Sequence, residues 1–154
     1  MFRSDRDNQR NKVYKWENHM FPGLYTPSLT KKEVVQLAHI LSDGTVEVTF
    51  RKTKTAFADG WRVNLPSWAH NPVILAHEIA HTKVHYSYAD HGPEFMEVYG
   101  KYLCAMGLIT PTRFMTTTVD MGVDYGHIPK EYDIHYSKLR NRLKGNEHLI
   151  KLHY

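Results

Sequence analysis

An α+β fold, with a small β-sheet packed on helices, is predicted by three observations in this 154-residue chain. Helix-start signals precede apolar residues spaced i, i+3, i+4 and i+7, and two short stretches alternate apolar with polar residues. Those two stretches are neighbours in sequence and lie just before the most apolar helical segment, which argues for a sheet backed by helices.

The elements follow in order. The first dozen residues are too polar to build a core, but Val13, Trp16 and Met20 fall at helical spacing and predict an amphipathic helix that ends before Pro22-Gly23. Thr30-Lys31-Lys32-Glu33 is a capping box, and Val34, Leu37, Ala38 and Leu41 continue the helical pattern until Asp43-Gly44. Val46, Val48 and Phe50 alternate with polar residues, as do Trp61, Val63 and Leu65, giving two strands around a polar connection. Asn71-Pro72 pairs an N-cap residue with proline at the first helical position, so a helix starts there and is expected to run to about Tyr86. A loop from Ser87 to Gly92 leads to Pro93, and Phe95, Val98, Tyr99, Tyr102, Leu103 and Met106 mark a second amphipathic helix closed by Gly107. Thr112 to Val119 is β-leaning, Gly122 to Pro129 reads as loop, and Ile134, Leu139 and Leu143 mark a basic last helix before Gly145.

With 42% hydrophobic and 23% charged residues the chain has the composition of a soluble globular protein. The expectation is one domain over residues 1–154, with a core at about 30–107, an N-terminal helical arm at 1–22 and a C-terminal extension at 108–154. No apolar run approaches the roughly 20 residues that span a bilayer, and the polar start lacks the apolar centre of a secretory signal, so an intracellular protein without membrane contact is expected. Cys104 is the single cysteine, which excludes a disulfide framework and a paired-cysteine zinc ribbon. The net charge of +4 gathers toward both ends, from Arg3 to Lys15 and from Lys138 to Lys151. Those ends are candidates for weak contact with nucleic acid, although acids interrupt the runs and no base-reading motif accompanies them.

The most specific feature is His77-Glu78-Ile79-Ala80-His81, an HExxH pentapeptide two turns inside the Asn71-Pro72 helix. Positions i and i+4 lie one turn apart on one face, so two imidazoles can close on a single cation while Glu78 flanks it. That arrangement suits Zn2+ and an activated water. A catalytic zinc takes three protein ligands and leaves a fourth position open, so a third ligand is required. His91 is favoured because it stands where the loop re-enters the next helix. His85 is the rival, but three ligands stacked along a straight helix span about 12 Å, too far for bonds of about 2.1 Å to one ion. Glu94 and Glu97 are further candidates. Glu94 and Asp90 also suit a hydrogen bond to a ligand histidine, although an acid at a helix start is favoured by the dipole alone. An oxyanion donor is expected from Tyr86, Tyr88, Tyr125 or His127. His19, His39, His70, His135, His148 and His153 show no ligand spacing and read as surface residues.

His77-Glu78-Ile79-Ala80-His81 followed by His91-Gly92-Pro93-Glu94-Phe95 resembles the SprT-like zinc metallopeptidases, over a stretch from about Val46 to Met106 that includes Gly60-Trp61-Arg62-Val63-Asn64-Leu65. The resemblance implies a zincin-like fold, zinc held by His77, His81 and His91, and Glu78 as catalytic acid and base. The family's cysteine ribbon has no counterpart here, and with it goes support for DNA-linked substrates. The function expected is a zinc-dependent endopeptidase acting on a protein or peptide substrate. An extended substrate would pair with the strand Trp61 to Leu65 if that strand forms the sheet edge. The alternative from another class is a non-catalytic zinc-containing binding or structural module of a larger assembly. The carboxylate of Glu78 argues against it, since a structural site is normally closed by a fourth protein ligand.

Overall fold

The computed structural model describes residues 9–84, 88–126 and 135–152. It is α+β: six helices and a three-stranded sheet, among the described residues. The helices are α1 (Arg10–Met20), α2 (Lys31–Ser42), α3 (Pro72–Lys83), α4 (Pro93–Ala105), α5 (Pro111–Asp120) and α6 (Tyr136–Leu143). The strands are β1 (Glu47–Thr49), β2 (Phe57–Asp59) and β3 (Arg62–Asn64). No described helix is long and apolar enough to cross a membrane.

The start signals act as the sequence predicts. Thr30 accepts from the Glu33 N–H at 3.1 Å while Glu33 accepts from the Thr30 N–H at 2.9 Å, which satisfies two donors that the first turn of α2 leaves unpaired. Asp43 then enters the left-handed region at φ 55° and Gly44 follows at φ 75°, ending the helix. Asn71 caps α3 by accepting from Ile74 N–H at 3.0 Å, and its amide donates 2.8 Å to Leu24 O, so one side chain both starts the helix and ties down the segment after α1.

The sheet order is β1-β3-β2, with β1 parallel to β3 and β2 antiparallel to it. The polar connection between the two expected strands thus contains a third, β2, joined to β3 through Gly60 at φ 60°. The condition for pairing a substrate with Trp61 to Leu65, that this strand form the sheet edge, is not met: β3 is central, and β1 and β2 are the edges. Asn64, which alternation places on a polar face, is buried. Its amide pins residues 49–53 by accepting from Thr49 Oγ1 and Arg51 N–H and donating to Arg51 O and Thr53 Oγ1.

Thr112 to Val119 is helix, not strand. Thr110-Pro111 repeats the N-cap-then-proline signal of α3, with Thr110 accepting from Arg113 N–H at 3.1 Å. The β-branched run is accommodated because Thr116, Thr117 and Thr118 turn their hydroxyls back onto carbonyls four residues earlier, at 2.7 to 2.8 Å. Phe114 and Thr118, one turn apart, are buried toward the core. The motif helix α3 ends at Lys83, and Val84 adopts extended angles. Tyr86, like Ile134, lies outside the described residues.

The core reaches beyond residues 30–107. Val13 and Trp16 of α1 are fully buried, and Leu139, Leu143 and Leu149 close the opposite end. Trp16 packs edge-on against Phe21, Tyr99 and Phe114 and donates its indole N–H to Thr117 Oγ1 at 2.9 Å. Gln9, in the polar start, is also buried, and its side chain exchanges two 3.0 Å hydrogen bonds with the Asp124 backbone. Two cations of the basic C-terminal run serve helix ends. Arg140 donates 2.7 Å to Ala105 O at the end of α4, and Arg142 donates 2.8 Å to Ile40 O in the last turn of α2.

Helices α4 and α5 approach closely at Gly100, where an added Cβ would lie 2.4 Å from the Phe114 ring. Alanine gains about 1 kcal/mol of helix propensity over glycine, but overpacking a filled core costs about 1–3 kcal/mol. Gly100→Ala is therefore expected to lower the thermal midpoint, and valine to lower it further. A midpoint at or above wild type would show that the contact yields freely.

Candidate metal centre

Helix α3 is buried along its whole first part, Pro72 through Ala80, which explains why it opens on a continuous apolar run, Pro72 to Ala76, and not a stripe. His77 and Glu78 are carried inside with it. A charge or a free imidazole placed there must find partners, and those partners define the site.

His77 and His81, one turn apart on α3, meet His91 from the turn that enters α4. One ligand atom from each lies within 4.8 Å of the other two, and these three form the cluster of possible metal ligands among the described residues. The Nε2 atoms of His77 and His91 are 3.3 Å apart. Two nitrogens bound to one ion at about 2.1 Å with tetrahedral angles are separated by about 3.4 Å, so this pair is compatible with one shared ion, as it is with an imidazole–imidazole hydrogen bond in the ion's absence. The donor set is three nitrogens with no sulfur, one of the sets found in catalytic zinc sites. His85 lies outside the described residues. Glu94 stands in the first turn of α4, and Glu97 pairs with Lys101 at 3.9 Å; neither belongs to the cluster.

His91 is placed by a tight turn. Gly92 N–H donates to Ala89 O at 3.3 Å, and a Cβ on Gly92 would sit 3.0 Å from Ala89 Cβ and 3.2 Å from Glu94 Oε2, so the residue between ligand and helix has little room for a side chain. Phe95, fully buried in the first turn of α4, forms the floor. Its ring stacks on His81 at 4.4 Å and meets His77 edge-on at 4.9 Å and His91 at 5.3 Å. The three imidazoles are thus held against one apolar surface.

The carboxylate that orients His77 is Glu17, on α1, which sequence reasoning did not single out. Its Oε2 accepts from His77 Nδ1 at 2.8 Å and from the Tyr99 hydroxyl at 2.8 Å. With Nδ1–H engaged, Nε2 is the nitrogen turned to the cluster. The signal was present: Glu17 falls one turn after Val13 and beside Trp16, on the buried side of an amphipathic helix where an acid is out of place. Tyr14 lies on the same helix, half-buried, its ring parallel to His77 at 6.2 Å and edge-on to His91 at 5.2 Å. Of the expected oxyanion donors, Tyr125 packs on Phe114 at 5.2 Å, while Tyr86 and His127 fall outside the described residues.

The electrostatics follow from burial. Desolvation pulls the His77 pKa down, but the charge and hydrogen bond of Glu17 outweigh it and, with the charge of Glu78, raise it to about 9. Desolvation pushes the Glu78 carboxyl up, against the nearby His77 charge, with Glu17 adding to the rise. Burial likewise raises the Tyr14 phenol, opposed by the hydrogen bond and charge of Arg10. His70, expected at the surface, is buried and structural. Its Nε2 stands 3.1 Å from Leu65 O, and its carbonyl accepts from both Ser28 and Leu29 N–H at 2.9 Å.

No family model matches the chain, and no curated protein or solved structure matches it.

The charge and hydrogen bond of Glu17 raise the His77 pKa to about 9, so an ion bound at His77 at neutral pH would displace a proton. Calorimetry at pH 7.5 in buffers of different ionisation heat is expected to find about one proton released from His77 per zinc, with affinity falling as pH falls. Glu17→Gln removes the charge that holds the proton. It should reduce that release and, at pH 9 where proton competition is least, weaken zinc about 10- to 100-fold. Unchanged release and affinity would show that Glu17 does not orient His77.

Proposed function

We propose that the protein is a zinc-dependent endopeptidase of zincin-like architecture, with His77, His81 and His91 holding the ion and Glu78 moving the proton. The resemblance of its motifs to the SprT-like metallopeptidases points the same way. The observation that carries this reading is the convergence of three imidazoles within 4.8 Å, next to a buried carboxylate on the same helix. A structural zinc site would need a fourth ligand and no such carboxylate, and the cluster has three members among the described residues.

His77, His81 and His91 would hold a zinc ion, which when bound would acidify a water to a pKa of about 7 and polarise the substrate carbonyl. The chain's own residues do the rest. Glu78, made a stronger base by burial, takes the proton as the water attacks the peptide carbonyl and returns it to the amine as the C–N bond breaks. Glu17 and Tyr99 keep the His77 imidazole in one tautomer and one orientation throughout. Phe95 and Tyr99, both fully buried, exclude water from the rear of the ligands.

Substrate capture fits β2 better than β3. β2 pairs on one side with β3 and packs against α3, so its other edge offers unpaired backbone groups near the motif helix, among the described residues. An extended protein or peptide segment adds there as a further strand, held by main-chain hydrogen bonds and hence with weak sequence selectivity.

Glu78→Gln is expected to retain zinc and fold while cleavage of casein falls at least about 100-fold, the scale of general acid–base catalysis. His81→Ala should lose the metal together with activity. Undiminished, chelator-sensitive hydrolysis by a clean Glu78→Gln preparation would overturn the mechanism.

A further inference from the structure

We infer that Tyr14 donates the hydrogen bond that stabilises the oxyanion formed at the attacked peptide carbonyl. The inference rests on the hydrolase reading above and names a catalytic residue for it on α1. Arg10, Tyr14 and Glu17 fall at i, i+4 and i+7, one face of that helix, and Glu17 is the residue hydrogen-bonded to ligand His77. The face therefore points at the metal centre, with Tyr14 over the two ligand rings it packs against, 6.2 Å from His77 and 5.2 Å from His91.

Exposure shows which side of the cluster a substrate can reach. Phe95, Tyr99 and Tyr14 all pack against ligand imidazoles, but Phe95 and Tyr99 are fully buried, whereas Tyr14 is half-exposed. The Tyr99 hydroxyl is already committed to Glu17. Of these three rings Tyr14 is thus the one a substrate can reach, and its phenolic O–H, a neutral donor, suits a carbonyl oxygen that gains negative charge. Exposed Arg10 lies with its guanidinium 5.6 Å from the Tyr14 ring centroid and adds positive charge at the same lip.

In the reaction the water oxygen bonds to the carbonyl carbon, its proton passes to Glu78, and the carbonyl π pair moves onto oxygen. Tyr14 O–H donates to that oxygen and keeps its proton. When the oxyanion collapses, the C–N bond breaks and Glu78 protonates the amine, so Tyr14 ends unchanged.

Tyr14→Phe keeps the ring against His77 and His91 and removes only the hydroxyl. Removing one oxyanion donor lowers kcat by about 100- to 1,000-fold, so the zinc-loaded variant should lose kcat on that scale with KM within about threefold and zinc content unchanged. A phosphinic pseudopeptide, whose second oxygen occupies the oxyanion position, should bind the variant more weakly by a similar factor in calorimetry, a readout independent of turnover. A kcat and phosphinate affinity within twofold of an active wild type would overturn the Tyr14 assignment and leave the hydrolase reading standing. A zinc-loaded wild type that neither cleaves casein nor binds the phosphinate would overturn both. Weaker phosphinate binding accompanied by lost zinc would make Tyr14 a packing residue and also overturn the assignment.

Discussion

The site depends on one buried arrangement: the Glu17 carboxylate, taken out of water on α1, accepts from both His77 and Tyr99. An unpaired charge at that depth would cost several kcal/mol, and neither hydrogen bond alone would offset it as well as the two together. Once Glu17 is in place, the His77 ring has a fixed tautomer and a fixed direction. The 3.3 Å approach of its Nε2 to that of His91 follows from that restraint and from the Phe95 floor beneath.

This arrangement ties α1 to the histidine cluster. Helix α3 and the turn that enters α4 supply the three imidazoles, yet the group that orients one of them arrives from about sixty residues earlier in the chain. The helix is anchored on both sides of that contact, by Trp16 among Phe21, Tyr99 and Phe114 and by Gln9 on the Asp124 backbone. Packing and site geometry are consequently coupled: a change that loosens Trp16 also loosens Glu17, its neighbour on the same turn. The small sheet contributes at a distance, by holding the chain that leads through Asn64, His70 and Asn71 into the capped start of α3.

Much of this was legible in the residues. The capping box at Thr30, the Asn71-Pro72 start and the Val13, Trp16, Met20 spacing each record a local constraint, so they mark helices without knowledge of their neighbours. HExxH and the following histidine were equally local, and the structure brings His77, His81 and His91 together. What failed was tertiary. Thr112 to Val119 looked extended because threonine favours strands, but its hydroxyls find carbonyl partners within the helix. The β2 strand is three residues long and too short to show a period, so the sequence carries no sign that β3 is central and not an edge. Glu17 was missed because its role is set by contacts with residues 60 and 82 positions away, although an acid on an apolar face marked it as unusual.

The central claim is that these three histidines form one zinc site, and His91 tests it best because it lies outside the pentapeptide. The measurement is zinc per folded chain after loading and exhaustive dialysis, for wild type and for His91→Ala. About one zinc is expected for wild type and a clear loss in the variant, with helical content unchanged. A wild type that retains no zinc, or a His91→Ala protein that retains it as fully as wild type, would contradict it.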